Sequence, residues 1–277
     1  MVFQWQHMAA KARHLIRGIA GALAACGSAA LLCACVSGTS ADVACNNTSP
    51  DAPLTGDIKS NVVVPRHATC YLRANITGDV HVQDGARIYV LGGTRINGNF
   101  RAIGAAQVRF NLDGVSPAGT SRATRAAPQG IYVAHNLVVK ESRLTGESGV
   151  AATEIGGNLV ILRNADGGGL THASFNVCTP GMCRPEAAVR VHKSVKIRQN
   201  QIAVAINYTS IGANLQCASN DHVPVLMKAG AGAGHVAVKG RRSGQCEHLH
   251  EVVMAPPPAS AAPALAAPAA SASQPSA

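Results

Sequence analysis

Side chains that could carry acid–base chemistry are sparse in this sequence of 277 residues, which holds 14 Asp and Glu. Cleavage of a glycosidic bond needs two carboxylates on one surface, and Ca²⁺ binding needs several. No two candidates recur at a spacing that would pair them on one outer strand; they are Asp113, Glu141, Glu147, Glu154 and Asp166. Aromatic residues, which form sugar-binding platforms, make up only 3% of the chain. The sequence therefore predicts no catalytic residue, and a carbohydrate-active enzyme is the alternative to a non-catalytic structural or binding protein.

Cysteines form a second chemically distinctive group. Beyond the first 35 residues an even set remains, which fits three disulfides in an oxidising compartment. Proximity in the sequence predicts the pairs Cys45–Cys70, Cys178–Cys183 and Cys217–Cys246. The segment from Cys246 to His250 offers a metal site instead, because His248 and His250 point the same way on a strand. That site requires an unbonded Cys246, so the sequence predicts neither a metal centre nor a cofactor.

The first forty residues have the pattern of an export signal. Lys11, Arg13 and Arg17 precede an apolar, small-residue run from Gly18 to Val36. A membrane-spanning helix is the alternative, because the run approaches the roughly 20 residues needed to cross a bilayer. Its many Ala, Gly and Cys residues make it weakly hydrophobic and favour a cleaved signal peptide at residues 1–35.

Two cysteines in this run fit the bacterial lipoprotein motif, in which an apolar and a small residue precede a lipidated cysteine. Cys26 follows Leu23-Ala24-Ala25, and Cys35 follows Leu32-Cys33-Ala34. We expect lipidation at Cys35, which ends the apolar run, with Cys26 as the alternative. An ordinary signal peptidase acting after Thr39-Ser40-Ala41 would leave no lipid. Either way we expect an exported protein, in the periplasm, at the outer membrane or cell surface, or secreted.

The charge of the chain indicates the class of partner. Removing the three basic residues of the signal leaves 21 Lys and Arg against 14 Asp and Glu, a formal charge of +7. An exported basic protein meets anionic polysaccharide or envelope polymer more readily than nucleic acid. Simple solubility is the alternative explanation.

A repeated unit, Ile-x-Gly-Asn/Asp-apolar-x-apolar, predicts the fold. The copies begin at Ile76, Ile96, Val133, Ile155, Val191 and Ile211. Their steps of 20, 37, 22, 36 and 20 residues indicate a coil of near 20 residues with two insertions of about 16. Apolar and polar residues alternate within each copy, as in Val80-His81-Val82, which is typical of a half-buried strand. We therefore predict an all-β protein, a right-handed parallel β-helix or solenoid.

One polar residue falls at the bend before each repeated strand. We expect these residues to form a structural ladder of hydrogen bonds between coils, on a left-handed backbone that Asn and Asp tolerate. A polar binding stripe is the alternative. The ladder residues are Asp79, Asn99, Asn136, Asn158, Ser194 and Asn214.

The two insertions interrupt the coil near Val115 to Gly130 and around Asn176 to Ala187. Loops grafted on a rigid solenoid commonly carry function. Their basic residues Arg122, Arg125 and Arg184 are therefore the candidate ligand-binding residues; tolerated surface insertions are the alternative.

These patterns divide the chain into four parts. A signal peptide occupies residues 1–35, an N-terminal linker or cap 36–56, the β-helix 57–253 and a Pro/Ala-rich tail 254–277. The tail cannot bury a core, and we expect it to be disordered.

The sequence resembles a group of uncharacterised exported bacterial proteins that are predicted to be β-helical. The likeness lies in VVVPRHATCYL from Val62, in the xGN/xGD coils, in SIGANLQC from Ser210 and in GRRSGQCEHL from Gly240. It covers about Asp57 to Leu249 and implies a fold and three matching cysteines, Cys70, Cys217 and Cys246. It implies no activity. More distantly the coils resemble pectate-lyase-like β-helices and bactofilin scaffolds; the signal and the disulfides argue against the cytoplasmic bactofilins.

Overall fold

The computed structural model describes residues 41–111, 129–168, 173–177, 188–229 and 236–254, which form 26 β-strands and no helix. In chain order the strands are β1 (Val43–Ala44), β2 (Leu54–Ile58), β3 (Val62–Val64), β4 (Thr69–Ile76), β5 (Val80–Val82), β6 (Arg87–Val90), β7 (Arg95–Ile96), β8 (Phe100–Ile103), β9 (Gln107–Phe110), β10 (Ile131–Val133), β11 (Leu137–Lys140), β12 (Arg143–Leu144), β13 (Glu147–Val150), β14 (Thr153–Ile155), β15 (Leu159–Leu162), β16 (Ala165–Asp166), β17 (Ser174–Val177), β18 (Val189–Val191), β19 (Val195–Arg198), β20 (Ala203–Ile206), β21 (Thr209–Ile211), β22 (Leu215–Ala218), β23 (Val225–Ala229), β24 (Val236–Val238), β25 (Arg242–Gly244) and β26 (His250–Met254).

The strands pair in parallel and build two long sheets. Sheet 1 has nine strands, in the order β1-β3-β5-β8-β11-β15-β19-β22-β25. Sheet 2 has fifteen strands in two arms that meet at the long strand β4. Arm 1 starts at the first half of β4 and continues through β6, β9, β13, β17, β20, β23 and β26. Arm 2 starts at the second half of β4 and continues through β7, β10, β14, β18, β21 and β24. Strand β2 also pairs with β4. β12 and β16 form a small third sheet.

The chain visits sheet 1, arm 1 and arm 2 in turn and then begins again one strand further on. The repeat spacing predicted from the sequence is confirmed by the register of sheet 1. Val80 lies beside Phe100, Phe100 beside Leu137, and Leu137 beside Leu159. Each parallel step therefore uses one copy of the repeat, as expected for a solenoid.

The core lies between the sheets and is filled by alternate residues of each strand. Val80 and Val82 of β5 are buried while His81 between them is partly exposed, and the same alternation recurs in later coils. Phe100 and Phe175 are the largest fully buried side chains among the residues described. The predicted period of two is confirmed, and apolar burial along the whole core stabilises the stack.

Bends before the strands of sheet 1 carry the predicted ladder of side-chain hydrogen bonds. The Oδ1 atom of Asp79 accepts from the backbone N–H of Asn99 at 2.7 Å, and Asn136 and Asn158 repeat this arrangement. At the end of the ladder, the Oγ of Ser194 accepts from the N–H of Asn214, and the Oδ1 of Asn214 accepts from the N–H of Arg241. Asn61 extends it by one coil toward the N-terminus, since its Oδ1 accepts from the N–H of Asp79.

The predicted left-handed backbone of these ladder residues was wrong. None of them has a positive φ; positive values occur instead at the residue after several strands of sheet 1, including Glu141, Arg163, Gln199 and Ser219. Three of the ladder residues, Asp79, Asn99 and Asn158, follow a glycine, which is explained by close approach of the neighbouring coil. A Cβ atom added to Gly78 would lie 2.4 Å from Asn61 Oδ1, and one on Gly98 would lie 2.3 Å from Asp79 Oδ1.

A second ladder, which the repeat did not predict, is buried in the bends after sheet 1. Asn164, Asn200 and Asn220 are 0%, 0% and 5% exposed, and each directly follows a residue with positive φ. The Nδ2 of Asn164 donates to Asn200 Oδ1 at 2.9 Å, and the Nδ2 of Asn200 donates to Asn220 Oδ1 at 2.9 Å. Gln245 ends this row by accepting from Asn220. Buried amides of this kind stabilise the stack because each coil provides hydrogen-bond partners for the buried polar groups of the next coil.

Two of the predicted disulfides are present, and each joins neighbouring coils at one end of the stack. Cys45–Cys70 has a Cα–Cα distance of 5.4 Å and Cys217–Cys246 one of 5.2 Å. All four residues are buried. Buried disulfides are typical of proteins of oxidising, extracytoplasmic compartments.

The strand pairing extends into the segment that the sequence analysis assigned to a linker or cap. β1 pairs with β3, and β2 pairs with β4, so residues from Val43 onward already belong to the sheets. The predicted signal peptide at 1–35 and the tail beyond residue 254 lie outside the described residues.

Candidate functional site

The outer surface of sheet 1 is distinguished by its charge. Its nine strands contain Arg101, Lys140, Lys196, Arg198 and Arg242 and no Asp or Glu. Side chains alternate across a strand, so the residues between the buried positions point outward from one continuous surface. The cations lie on four of the nine strands, and their excess of positive charge attracts anions to this surface.

Eight outward residues on four neighbouring strands, which we call the cationic–apolar face, form the centre of this surface. One row places Arg101, Val138, Val160 and Lys196 side by side, and the next places Ile103, Lys140, Leu162 and Arg198 side by side. At the ~4.8 Å spacing of paired strands, each row is roughly 14 Å long. The alternation of apolar and polar residues within the repeat predicts that Arg101, Lys196 and Arg198 point outward; Lys140 became apparent only from the register.

A depression of about 340 Å³ lies at one end of this face. Val160 and Leu162 line it together with Lys196 and Arg198, and Ala218 and Ser219 belong to the next coil. The guanidinium of Arg198 donates to Gln216 Oε1 at 2.9 Å, which holds it over the neighbouring strand. The depression therefore has both apolar and cationic walls.

Asp79 marks the edge of this surface at the bend before β5. Burial opposes its ionisation, but hydrogen bonds from the backbone and side chain of Asn99 and the charges of His81 and Arg101 favour it. Together they hold the pKa of Asp79 below its ordinary value of 3.8. Its Oδ2 lies 3.8 Å from His81 Nε2. The carboxylate is thus engaged by the ladder, by His81 and by Arg101.

We predict that Asp79→Asn weakens the acid sensitivity of the fold. Because the pKa of Asp79 is lower in the folded than in the unfolded state, its carboxylate stabilises the fold fully above about pH 4. This stabilisation is lost as the pH falls through the pKa of the folded state. Urea unfolding of the wild-type protein should therefore become easier as the pH falls below about 4, and the variant should lose less stability over the same range. Identical pH dependence in both proteins would contradict the role of Asp79.

Of the carboxylates considered for catalysis, those that the structure describes lie on different elements: Glu141 directly after β11, Glu147 on β13, Glu154 on β14 and Asp166 on β16. Glu154 Oε1 is 2.7 Å from His192 Nε2 on arm 2, and Glu141 binds Arg163 at a bend. Asp166 Oδ1 accepts from the N–H of Gly168 at 3.0 Å. Within the ranges described, no three His, Cys, Asp or Glu side chains are grouped so as to hold a metal ion. Cys246 is disulfide-bonded, so its thiolate is not a ligand.

Three tyrosines that the sequence could not place are outward and partly exposed. Tyr71 and Tyr89 stack on arm 1 with ring centroids 4.6 Å apart. The pKa of Tyr89 is raised, mainly because the hydroxyl is partly buried and to a smaller extent because Tyr71 lies beside it. The Tyr89 hydroxyl donates to Gln107 Oε1 at 2.6 Å. On arm 2 the Arg95 guanidinium lies 4.7 Å from the Tyr132 ring centre. These contacts join neighbouring coils and so reinforce the stack.

Several predicted site residues lie outside the residues that the structure describes. They are Cys26 and Cys35, the insertion residues Arg122, Arg125 and Arg184, the pair Cys178 and Cys183, and the candidate carboxylate Asp113. The strands on either side of both insertions are described. Each insertion connects arm 1 to arm 2, from β9 to β10 and from β17 to β18.

Comparisons with protein-family models, with curated proteins and with solved structures found no match. In the part of the chain that the structure covers, no helix is long and apolar enough to cross a bilayer. The function must therefore be inferred from the side chains of this chain and their arrangement.

Proposed function

We propose that this protein is an exported, non-catalytic structural and binding protein whose cationic–apolar face holds an anionic polymer of the cell envelope. The observation that carries the proposal is the charge of sheet 1, whose nine strands contain Lys and Arg but neither Asp nor Glu. A surface built for solubility alone has both signs of charge interspersed.

The architecture that we propose is a closed, right-handed parallel β-helix, which would make the face rigid. The repeated passage from sheet 1 to arm 1 and arm 2 supports three-sided coils, and parallel crossovers are right-handed in nearly all proteins. The cations of β8, β11, β19 and β25 then lie at fixed positions along the stack. A polymer with several anionic groups can meet them without the cost of ordering a loop.

The location that we propose is extracytoplasmic, with a lipid anchor at Cys35 or a cleaved signal peptide at residues 1–35. The two buried disulfides and the sequence of the first forty residues support export. The resemblance to exported bacterial β-helical proteins agrees with this location. An anchored stack would display its outer faces to the polymers around it.

Binding should depend on charge and weaken in salt. Exposed ion pairs contribute only about 0–1 kcal/mol each, so affinity requires several of them together. Charges at an exposed surface are screened over about 8 Å at physiological ionic strength. Arg101, Lys140, Lys196 and Arg198 are half-buried or exposed and lie on adjacent or nearby strands, so one chain can contact them simultaneously.

We predict that Lys196→Gln with Arg198→Gln reduces retention of the mature protein on anionic envelope polymers by about tenfold, the loss of two cooperating contacts. Affinity chromatography over acidic glycans and phosphorylated polymers would measure this. The matched control is Lys59→Gln with Arg66→Gln, which removes the same charges from exposed bends away from the face. Equal losses in both variants would contradict a specific face, and a loss only in Arg122→Ala with Arg125→Ala would move the site to the insertion.

A carbohydrate-active enzyme is the second candidate, and one contact favours it. His192 is bonded to Glu154, and Tyr132 and Arg190 are the register neighbours of Glu154 on arm 2. A carboxylate that orients an imidazole beside a phenol and a guanidinium is a possible acid–base set. New reducing or unsaturated ends in the same incubations, lost in His192→Gln, would replace the binding proposal with an enzyme.

A further inference from the structure

Apolar side chains occupy half of the cationic–apolar face, although they point away from the core. Ile103 is 41% exposed, and Val138, Val160 and Leu162 are partly exposed. In the parts of the chain described, Ile103 and Val223 are the exposed large hydrophobic residues. The outward positions on the flanking strands of the same sheet hold the polar residues His81, Gln216 and Ser243 and the apolar residues Ala44, Val63 and Ala218.

The apolar residues are neighbours, and the cations border them. Val138 and Val160 are register partners, and Leu162 lies two residues beyond Val160 on the same face. Arg101 and Lys140 border this group on one side, and Lys196 and Arg198 border it on the other. Val160 and Leu162 also line the 340 Å³ depression, so a ligand group entering it would contact apolar atoms beside Lys196 and Arg198.

We infer that the ligand of this face is an acylated anionic glycan, in which phosphate or carboxylate groups lie close to fatty acyl chains. This inference rests on the proposed function and specifies its ligand class. Acyl chains would cover the apolar residues of the depression, and the anionic groups would bind the four bordering cations. The pattern is that of an interfacial amphiphile site, where buried apolar area and charge attraction act together.

Charge complementarity decides among the possible occupants. A fully polar polyanion would pair with the cations but would leave Ile103 and Leu162 in water. A second copy of this face would oppose cations with cations, because sheet 1 contains no carboxylate to meet them. Only a ligand that is both apolar and anionic matches the two halves of the face.

The test compares one phosphorylated envelope glycolipid with its own deacylated form, which has the same anionic groups. Binding of the full mature protein would be measured below the aggregation concentration of the acylated ligand. We expect the acylated form to bind at least about tenfold more tightly, since burial of a few apolar side chains has an effect of this size. The double variant Val160→Thr with Leu162→Gln should lose this ratio while binding the deacylated form as before.

One control variant accompanies the test, and its outcomes separate the acyl inference from the proposed function. Val223→Thr removes the other exposed large hydrophobic residue and should leave the ratio unchanged. Equal affinity of the wild-type protein for both ligand forms would overturn the acyl inference and leave the proposed function standing. No binding of either form would overturn both, and binding only to vesicles of anionic phospholipid would assign the face to a membrane surface.

Discussion

Replacing Asn200 with alanine is expected to lower the free energy of unfolding by about 3–5 kcal/mol, among the largest effects of any single substitution. Asn200 is fully buried, and its Oδ1 accepts from both the backbone N–H and the Nδ2 of Asn164. Its Nδ2 donates to the carbonyl of Ile161 and to Asn220 Oδ1. Alanine would leave several buried polar groups without partners, and each such group costs about 1–3 kcal/mol.

The matched control is Asn158→Ala in the other ladder. Asn158 makes the same kind of contacts, donating to Asn136 Oδ1 and accepting from the N–H of Ser194, but its position is partly exposed. Water can replace these bonds, so we expect a loss of about 1 kcal/mol. Urea unfolding of both variants measures the difference. Equal destabilisation would show that burial does not set the strength of the ladders.

Removing the Cys217–Cys246 disulfide by a double substitution to serine should destabilise the protein by about 3.5 kcal/mol, the chain-entropy value for a separation of this length. The two cysteines are 29 residues apart and join the last two coils. The terminal coil has a neighbour on one side only, so we expect it to open first. Hydrogen exchange in β25 and β22 should therefore accelerate, while exchange in β8 should not.

The bridge at the opposite end provides the control. Serine at Cys45 and Cys70 should accelerate exchange in β1 and β3 and leave β25 protected, because each bridge acts on its own end. Uniform acceleration along the whole stack after either change would contradict local action of the disulfides. It would indicate that the coils unfold as a single cooperative unit.

The register of sheet 1 was predictable because its signal is local and repeated. The repeat copies at Ile76, Ile96 and Val133 are 20 and 37 residues apart. The same separations join Val80 to Phe100 and Phe100 to Leu137, which are register partners in the structure. The alternation around His81 fixed which residues point outward. Two disulfides followed from proximity alone, since the last coils at each end bring nearby cysteines together.

The buried ladder and the apolar half of the face were not predictable in the same way. Asn164, Asn200 and Asn220 recur at the repeat spacing, but they follow residues as different as Arg163, Gln199 and Ser219. Their shared property is a left-handed backbone in the preceding residue, which no single residue type indicates. Lys140 and Leu162 likewise become neighbours only when the register is known, because 22 residues separate them.

If the cations of sheet 1 bind an anionic polymer, the affinity of the protein for that polymer must fall as salt rises. The dissociation constant of the mature protein for an anionic envelope polymer would be measured between about 50 and 300 mM salt, across which screening changes markedly. The same titration would be made with a variant in which Arg101, Lys140, Lys196 and Arg198 are all glutamine. We predict that affinity of the wild-type protein falls steeply with salt and that the variant, with unchanged circular dichroism, binds weakly and with a much shallower slope. Salt-independent binding, or equal binding by the variant, would contradict the account.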